Sequence, residues 1–185
     1  MRRSRLLVSF LLSFLTVLAA GCGYTTRSAI VSRFQNIYVA QFVNKIDITQ
    51  DSDVGNKYRI YRPMLETDIT RAVINKYLLD GNLRPIKEES ADVSLTGELV
   101  EFRKDPLKYT DNDEVEEYRV NVAVNLRLWD NKSNELVWEE NRFTGDATYF
   151  TSYSRTETPT SESAAITEAI TDLARRIVER TVEEW

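Results

Sequence analysis

The chain holds one cysteine, Cys22, and no histidine, and these two facts decide what chemistry its side chains can do. Cys22 directly follows Ala19-Ala20-Gly21, side chains small enough for a signal peptidase. Before them lie an apolar run of 13 residues, Leu6 to Leu18, and a positive start carrying Arg2, Arg3 and Arg5. This arrangement reads as an export signal. A solitary cysteine can close no intramolecular disulfide, so a sulfur at the end of such a signal is read as the site of thioether lipidation. An uncleaved membrane helix would want about 20 apolar residues, and the run from Leu6 to Ala20 is shorter and ends in the processing site.

Without histidine the commonest general base and metal ligand is missing, and the scattered glycines build no phosphate-cradling loop. Asp47, Asp51 and Asp53 lack the spacing, the glycine and the terminal glutamate of a calcium loop. Carboxylate-only hydrolysis would need two acids converging in a cleft with shifted pKa values. At this density the acids read as solvated surface, so the expectation is no enzyme, no cofactor and no metal. The side chains best suited to an anionic ligand are cations near hairpin turns: Arg103, Lys104 and Lys108 around Pro106, and Lys132 within Asp130-Asn131-Lys132-Ser133-Asn134. They could give charge-assisted hydrogen bonds to phosphates, or be solvated cations near Asp105, Asp111 and Asp113.

The elements that position these groups fit one domain. Removing residues 1–21 leaves 164 residues, enough for one core. It removes three of the 24 basic residues and none of the 29 acidic ones, so the net charge becomes −8 and a nucleic-acid surface is not expected. Residues 22–34 read as a tether and 35–185 as a single α/β domain. The run Asn36-Ile37-Tyr38-Val39-Ala40-Gln41-Phe42-Val43 predicts a strand, and residues 44–61 a long polar loop. Pro63 is placed to open a helix whose apolar stripe is Leu65, Ile69, Ala72, Val73 and Tyr77, with Gly81 as a left-handed cap.

Alternation from Ala91 to Leu99 predicts a second strand, parallel to the first through a right-handed crossover. Residues 103–114 read as a hairpin loop, because Pro106 excludes a central strand. Tyr118, Val120, Val122, Val124, Leu126 and Leu128 point one way, and Arg119, Asn121, Asn125 and Arg127 the other. A turn at 130–134 leads into a strand from Leu136 to Phe143. After a polar stretch from Thr144 to Thr158, Pro159 marks a last helix with Ile166, Ile170, Leu173, Ile177, Val178, Val182 and Trp185 at helical spacing. The expected fold is α+β, a two-layer sandwich of two helices on one face of a mixed four-stranded sheet, in the order β-α-β-β-β-α.

These residues resemble a known family, the lipopolysaccharide-assembly lipoproteins called LptE. The resemblance rests on Cys22-Gly23-Tyr24, on Asn36-Ile37-Tyr38-Val39 with Phe42 and Asn44-Lys45, on Ala91-Asp92 with Gly97, on Glu117-Tyr118-Arg119, and on the helix through Leu173-Ala174 to Trp185. It implies a non-catalytic subunit of the translocon that delivers lipopolysaccharide to the outer leaflet. Such a subunit is anchored by lipid to the periplasmic side of the outer membrane. It acts as plug and assembly partner of an LptD-type β-barrel and is thought to bind lipopolysaccharide.

A second class stays open, a lipid-anchored regulator of a periplasmic cell-wall enzyme. Such regulators tend to carry a longer linker after the cysteine, whereas here about a dozen residues reach no more than about 40 Å.

Overall fold

The computed structural model describes residues 33–46, 62–151 and 161–182. Cys22, most of the 44–61 loop, Thr158, Pro159 and Trp185 lie outside the described residues. The elements are β1 (Asn36–Val39), β2 (Val43–Asn44), α1 (Leu65–Asp80), β3 (Arg84–Pro85), β4 (Val93–Tyr109), β5 (Val115–Asp130), β6 (Glu135–Phe150) and α2 (Glu162–Val182), with a 3-10 turn at Glu88–Ser90. The sheet has six strands, in the order β3-β1-β4-β5-β6, and β2 also pairs with β4. Four strands were expected; the single strand read over residues 36–43 is split into β1 and β2, with residues 40–42 between them outside any strand, and β3 adds two residues, too few to show a period in the sequence.

The parallel pairing is as read: β1 lies parallel to β4, Ile37 opposite Val93 and Val39 opposite Leu95. β4, β5 and β6 form a long antiparallel meander, and residues opposite one another share a face. Leu95, Leu128 and Trp138 make one inward row, and Leu99, Val124 and Phe143 another. Phe102, Val122 and Gly145 make a third, and Lys104, Val120 and Ala147 a fourth. Both helices cover this face. Ile69, Val73 and Tyr77 of α1, and Ala169, Leu173 and Ile177 of α2, are wholly buried with it.

Two expectations about strand length are corrected. β4 continues through Pro106 to Tyr109, so only Thr110–Glu114 remains as the hairpin tip. Beyond Leu99 β4 pairs with β5 alone, so the missing N–H of Pro106 costs no ladder bond on the other side. β6 likewise runs on through Thr144–Phe150. Its inward residues there are Gly145, Ala147 and Tyr149, and the small first two blur the alternation. They are small because α2 lies directly on them: a Cβ at Gly145 would stand 2.5 Å from the backbone N of Leu173.

Local signals end the helices. Gly81, at φ 77°, gives its N–H to the Tyr77 carbonyl, as the left-handed cap requires. α1 begins at Leu65, two residues after Pro63, with Met64 left-handed at φ 62°. α2 begins behind Ser161, whose Oγ accepts the Ala164 N–H at 3.1 Å. Phe34, read as tether, is buried in the core.

Candidate functional site

The four cations singled out from the sequence are not gathered in one place. Arg103, Lys104 and Lys108 lie on β4 and not in a loop, while Lys132 sits in the β5–β6 turn at the opposite end of the sheet. Successive residues of a strand face opposite ways, so Arg103 and Lys104 are on different faces. Each of the four meets a carboxylate.

Lys104 occupies the inward row and binds Glu162 Oε2 through Nζ at 2.8 Å. The Tyr149 hydroxyl donates to the same oxygen at 2.9 Å, and Tyr149 stacks on Tyr118, ring centroids 5.6 Å apart. Lys104 Nζ also stands 5.0 Å over the Tyr118 ring. The Lys104 hydrogen bond holds the Glu162 carboxyl below its usual range, and Glu162 in turn raises the Lys104 ammonium. Burial, then the bond to Glu162, pushes the Tyr149 phenol up to about 12. Because Glu162 is the first residue of α2, its negative charge also suits the helix N-terminus. This cluster fastens α2 to the sheet; the sequence reading had Lys104 alone, because Tyr149 and Glu162 are 45 or more positions distant.

Lys132 and Asp92 close the other end. Asp92 Oδ1 accepts from Lys132 Nζ at 3.0 Å, and its Oδ2 accepts the backbone N–H groups of Gln35 and Asn36, both at 3.1 Å. Burial works against the charged carboxylate, but the Gln35 N–H, the Lys132 ammonium and the Asn36 N–H outweigh it, so Asp92 stays below the usual range. Asp130 accepts the backbone N–H of Lys132 at 2.9 Å and pairs with Arg33. The chain's entry into the fold is therefore pinned to the β5–β6 turn. A polar cleft of about 450 Å³ opens beside Asp92 and Lys132.

The outward face of the meander is charged, and its arginines each meet a carboxylate. Arg142 crosses from β6 to Glu101 Oε2 at 2.8 Å, over the buried Ala123 of β5. Arg103 binds Asp105 at 2.9 Å, Arg127 binds Glu139 at 3.0 Å, and Arg119 lies 3.9 Å from Asp146. Lys108 binds Glu116 at 2.8 Å near the tip. The reach of Arg142 depends on its left-handed backbone, φ 55°, at a β-bulge opposite Asn125, which no residue type announces. Among the described residues no group of three His, Cys, Asp or Glu side chains is placed to hold a metal ion, and no helix is long and apolar enough to cross a membrane.

Comparisons with known proteins carry the arrangement further. No curated protein matches the chain. Among solved structures, a crystal structure of a Xanthomonas campestris protein superposes with a TM-score of 0.54 at 14% identity, covering 80% of this chain and 83% of that one. An uncharacterized lipoprotein B from Nitrosomonas europaea, solved by NMR, gives a TM-score of 0.49 at 12% identity, covering 80% and 83%. At such identities the first likeness shows the fold alone. A family model described as LptE, lipopolysaccharide-assembly, matches residues 34–181.

Proposed function

The chain belongs to the LptE lipopolysaccharide-assembly family, and from that premise we propose that it is a non-catalytic, lipid-anchored subunit of the machinery that places lipopolysaccharide in the outer membrane. Residues 1–21 are its signal peptide, Cys22 carries the lipid, and residues 22–34 lead to one folded domain. The protein faces the periplasm and works as plug and assembly partner of an LptD-type β-barrel. The observation that carries this reading is the family match, which spans every strand of the sheet and both helices except the last residue of α2. The outward face supports it. A barrel lumen is polar, and a face whose arginines already hold Glu101, Asp105, Asp146 and Glu139 can lie against such a wall with those four arginines paired.

Direct contact with lipopolysaccharide belongs to the same proposal, through phosphates meeting Arg103, Lys104, Lys108 or Lys132. A phosphate would have to share each cation with its carboxylate partner. Lys108 and Lys132, with side chains 57% and 78% exposed, are the two best able to do so.

The test is affinity purification of the full-length protein from detergent-solubilised outer membranes. A large β-barrel recovered in stoichiometric amount is the expected result, and a cell-wall enzyme in its place would overturn the proposal. Cys22→Ala is expected to leave the membrane fraction while keeping the fold. Lys108→Glu with Lys132→Glu is expected to weaken lipopolysaccharide binding, and unchanged binding would dismiss both residues.

A further inference from the structure

One end of the domain carries an apolar tip that the fold does not use. Leu79 is 84% exposed and Leu78 60%, side by side in the last turn of α1, and Leu136 at the start of β6 is 42% exposed. Gly81 caps the helix, and after Asn82 and Leu83 the chain reaches Arg84, which pairs with Asn36 and gives its N–H to the Gln35 carbonyl at 2.9 Å. The entry of the chain at Arg33–Asn36, the C-terminus of α1 and the β5–β6 turn are therefore one end of the molecule. An apolar groove of about 380 Å³, lined by Tyr38, Ile74, Pro85 and Ile86, adjoins it, and Ile74 lies one helical turn before Leu78.

We propose that this end, led by Leu78 and Leu79, rests on the lipid surface that holds the anchor. The inference rests on lipidation at Cys22, part of the function proposed above. Arg33 lies eleven positions after Cys22, and fully extended that stretch reaches at most about 40 Å. The opposite end is out of such range: at roughly 3.3 Å per residue, β4 carries the arm tip about 50 Å from Val93. The exposed Leu107 and Tyr109 of that tip thus point away when the domain stands on its tether.

Charges at the anchored end are mixed, with Arg84 and Lys87 set against Asp80, Glu88, Glu89 and Glu135, and with Arg33 and Lys132 held by Asp130 and Asp92. The contact is accordingly apolar rather than electrostatic, which makes it insensitive to salt.

The experiment uses the full-length protein purified from membranes and reconstituted into phosphatidylethanolamine–phosphatidylglycerol vesicles. A nitrobenzoxadiazole label is placed through Leu79→Cys, the Cys22 sulfur being blocked by its lipid, and a second preparation carries the label through Tyr109→Cys. With the protein co-floating, the Leu79→Cys label is expected to emit to the blue, to be quenched roughly twofold by doxyl-labelled lipid, and to keep that response at high salt. The Tyr109→Cys label is expected to stay water-like. Co-flotation with a water-like signal at both positions would overturn the inference and leave the lipoprotein reading standing. Failure to co-float would overturn both.

Discussion

Tyr77 and Thr181 are both wholly buried and join the two helices by one hydrogen bond, Tyr77 Oη to Thr181 Oγ1 at 2.8 Å; Thr181 in turn donates to the Ile177 carbonyl at 2.8 Å. Burial raises the Tyr77 pKa far above its usual value, so the phenol is neutral and acts as a donor. Tyr77→Phe removes the donor and leaves Thr181 with its bond to Ile177 and one unfilled acceptor position, a loss of about 1 kcal/mol. Thr181→Val keeps the shape but strands the phenolic O–H in the core, at about 2–3 kcal/mol. In the double variant neither orphan exists. Its cost should exceed that of Tyr77→Phe by less than about 1 kcal/mol, giving a coupling of roughly 1–2 kcal/mol. The assay is urea unfolding of residues 23–185, followed by tryptophan fluorescence. Additive single costs, or Thr181→Val costing less than Tyr77→Phe, would refute the reasoning.

Gly145→Ala should destabilise the domain by at least about 1–3 kcal/mol, because the new Cβ meets the backbone of Leu173, which cannot rotate away; wild-type unfolding would show that α2 does not lie on β6. Gly97→Ala drives a methyl into the buried Phe42 ring, with a similar loss that Phe42→Leu in the same chain should partly restore; no restoration would place the strain elsewhere. The Lys104–Glu162–Tyr149 cluster should fail at both ends of the pH scale. Glu162 has a lowered folded pKa, so its contribution is present above the ordinary carboxylate range and lost as pH falls through the folded value. Lys104 and Tyr149 have raised ones, so theirs is present below about pH 10 and lost as pH rises toward 12. With Glu162 42% exposed at its side chain the effect is at most about 1 kcal/mol. Lys104→Met should flatten the acid limb of stability against pH, because the Lys104 bond is the main cause of the lowered Glu162 value, and an unaltered acid limb would exclude the cluster as its source.

The meander and both helices were legible because their periods are long and clean. Val120 to Leu128 alternate with Ala123 as the one apolar residue on the outward side, and Ile166 to Val182 repeat at helical spacing, so faces and partners followed. The break that separates β2 from β1 within residues 36–43 was not legible, nor was β3, since two residues carry no period. The C-terminal ends of β4 and β6 were obscured for opposite reasons: Pro106 reads as a breaker unless one knows that β4 has lost its second neighbour, and Gly145 and Ala147 read as loop unless one knows that α2 lies on them. Among the candidate residues, residue type alone found the cations. It could not find their partners, because Glu162, Asp92 and Glu116 are brought to them by tertiary structure, and this is why side chains expected at loop tips turn out to be braced.

The place of β1 in the sheet bears on the order in which the chain is built. Although it is the first strand in sequence, it lies between β3 and β4, and its partner at Ile37 is Val93. The β4–β5 and β5–β6 hairpins close over the short turns Thr110–Glu114 and Asn131–Asn134. Closing a short loop forfeits less chain entropy than closing the stretch from β1 to β4, and local pairings form faster than distant ones. Folding is thus expected to proceed from the middle of the chain outward. The first strand in sequence is then expected to be among the last to find its neighbours, so the N-terminal edge of the sheet stays open until the two hairpins have paired.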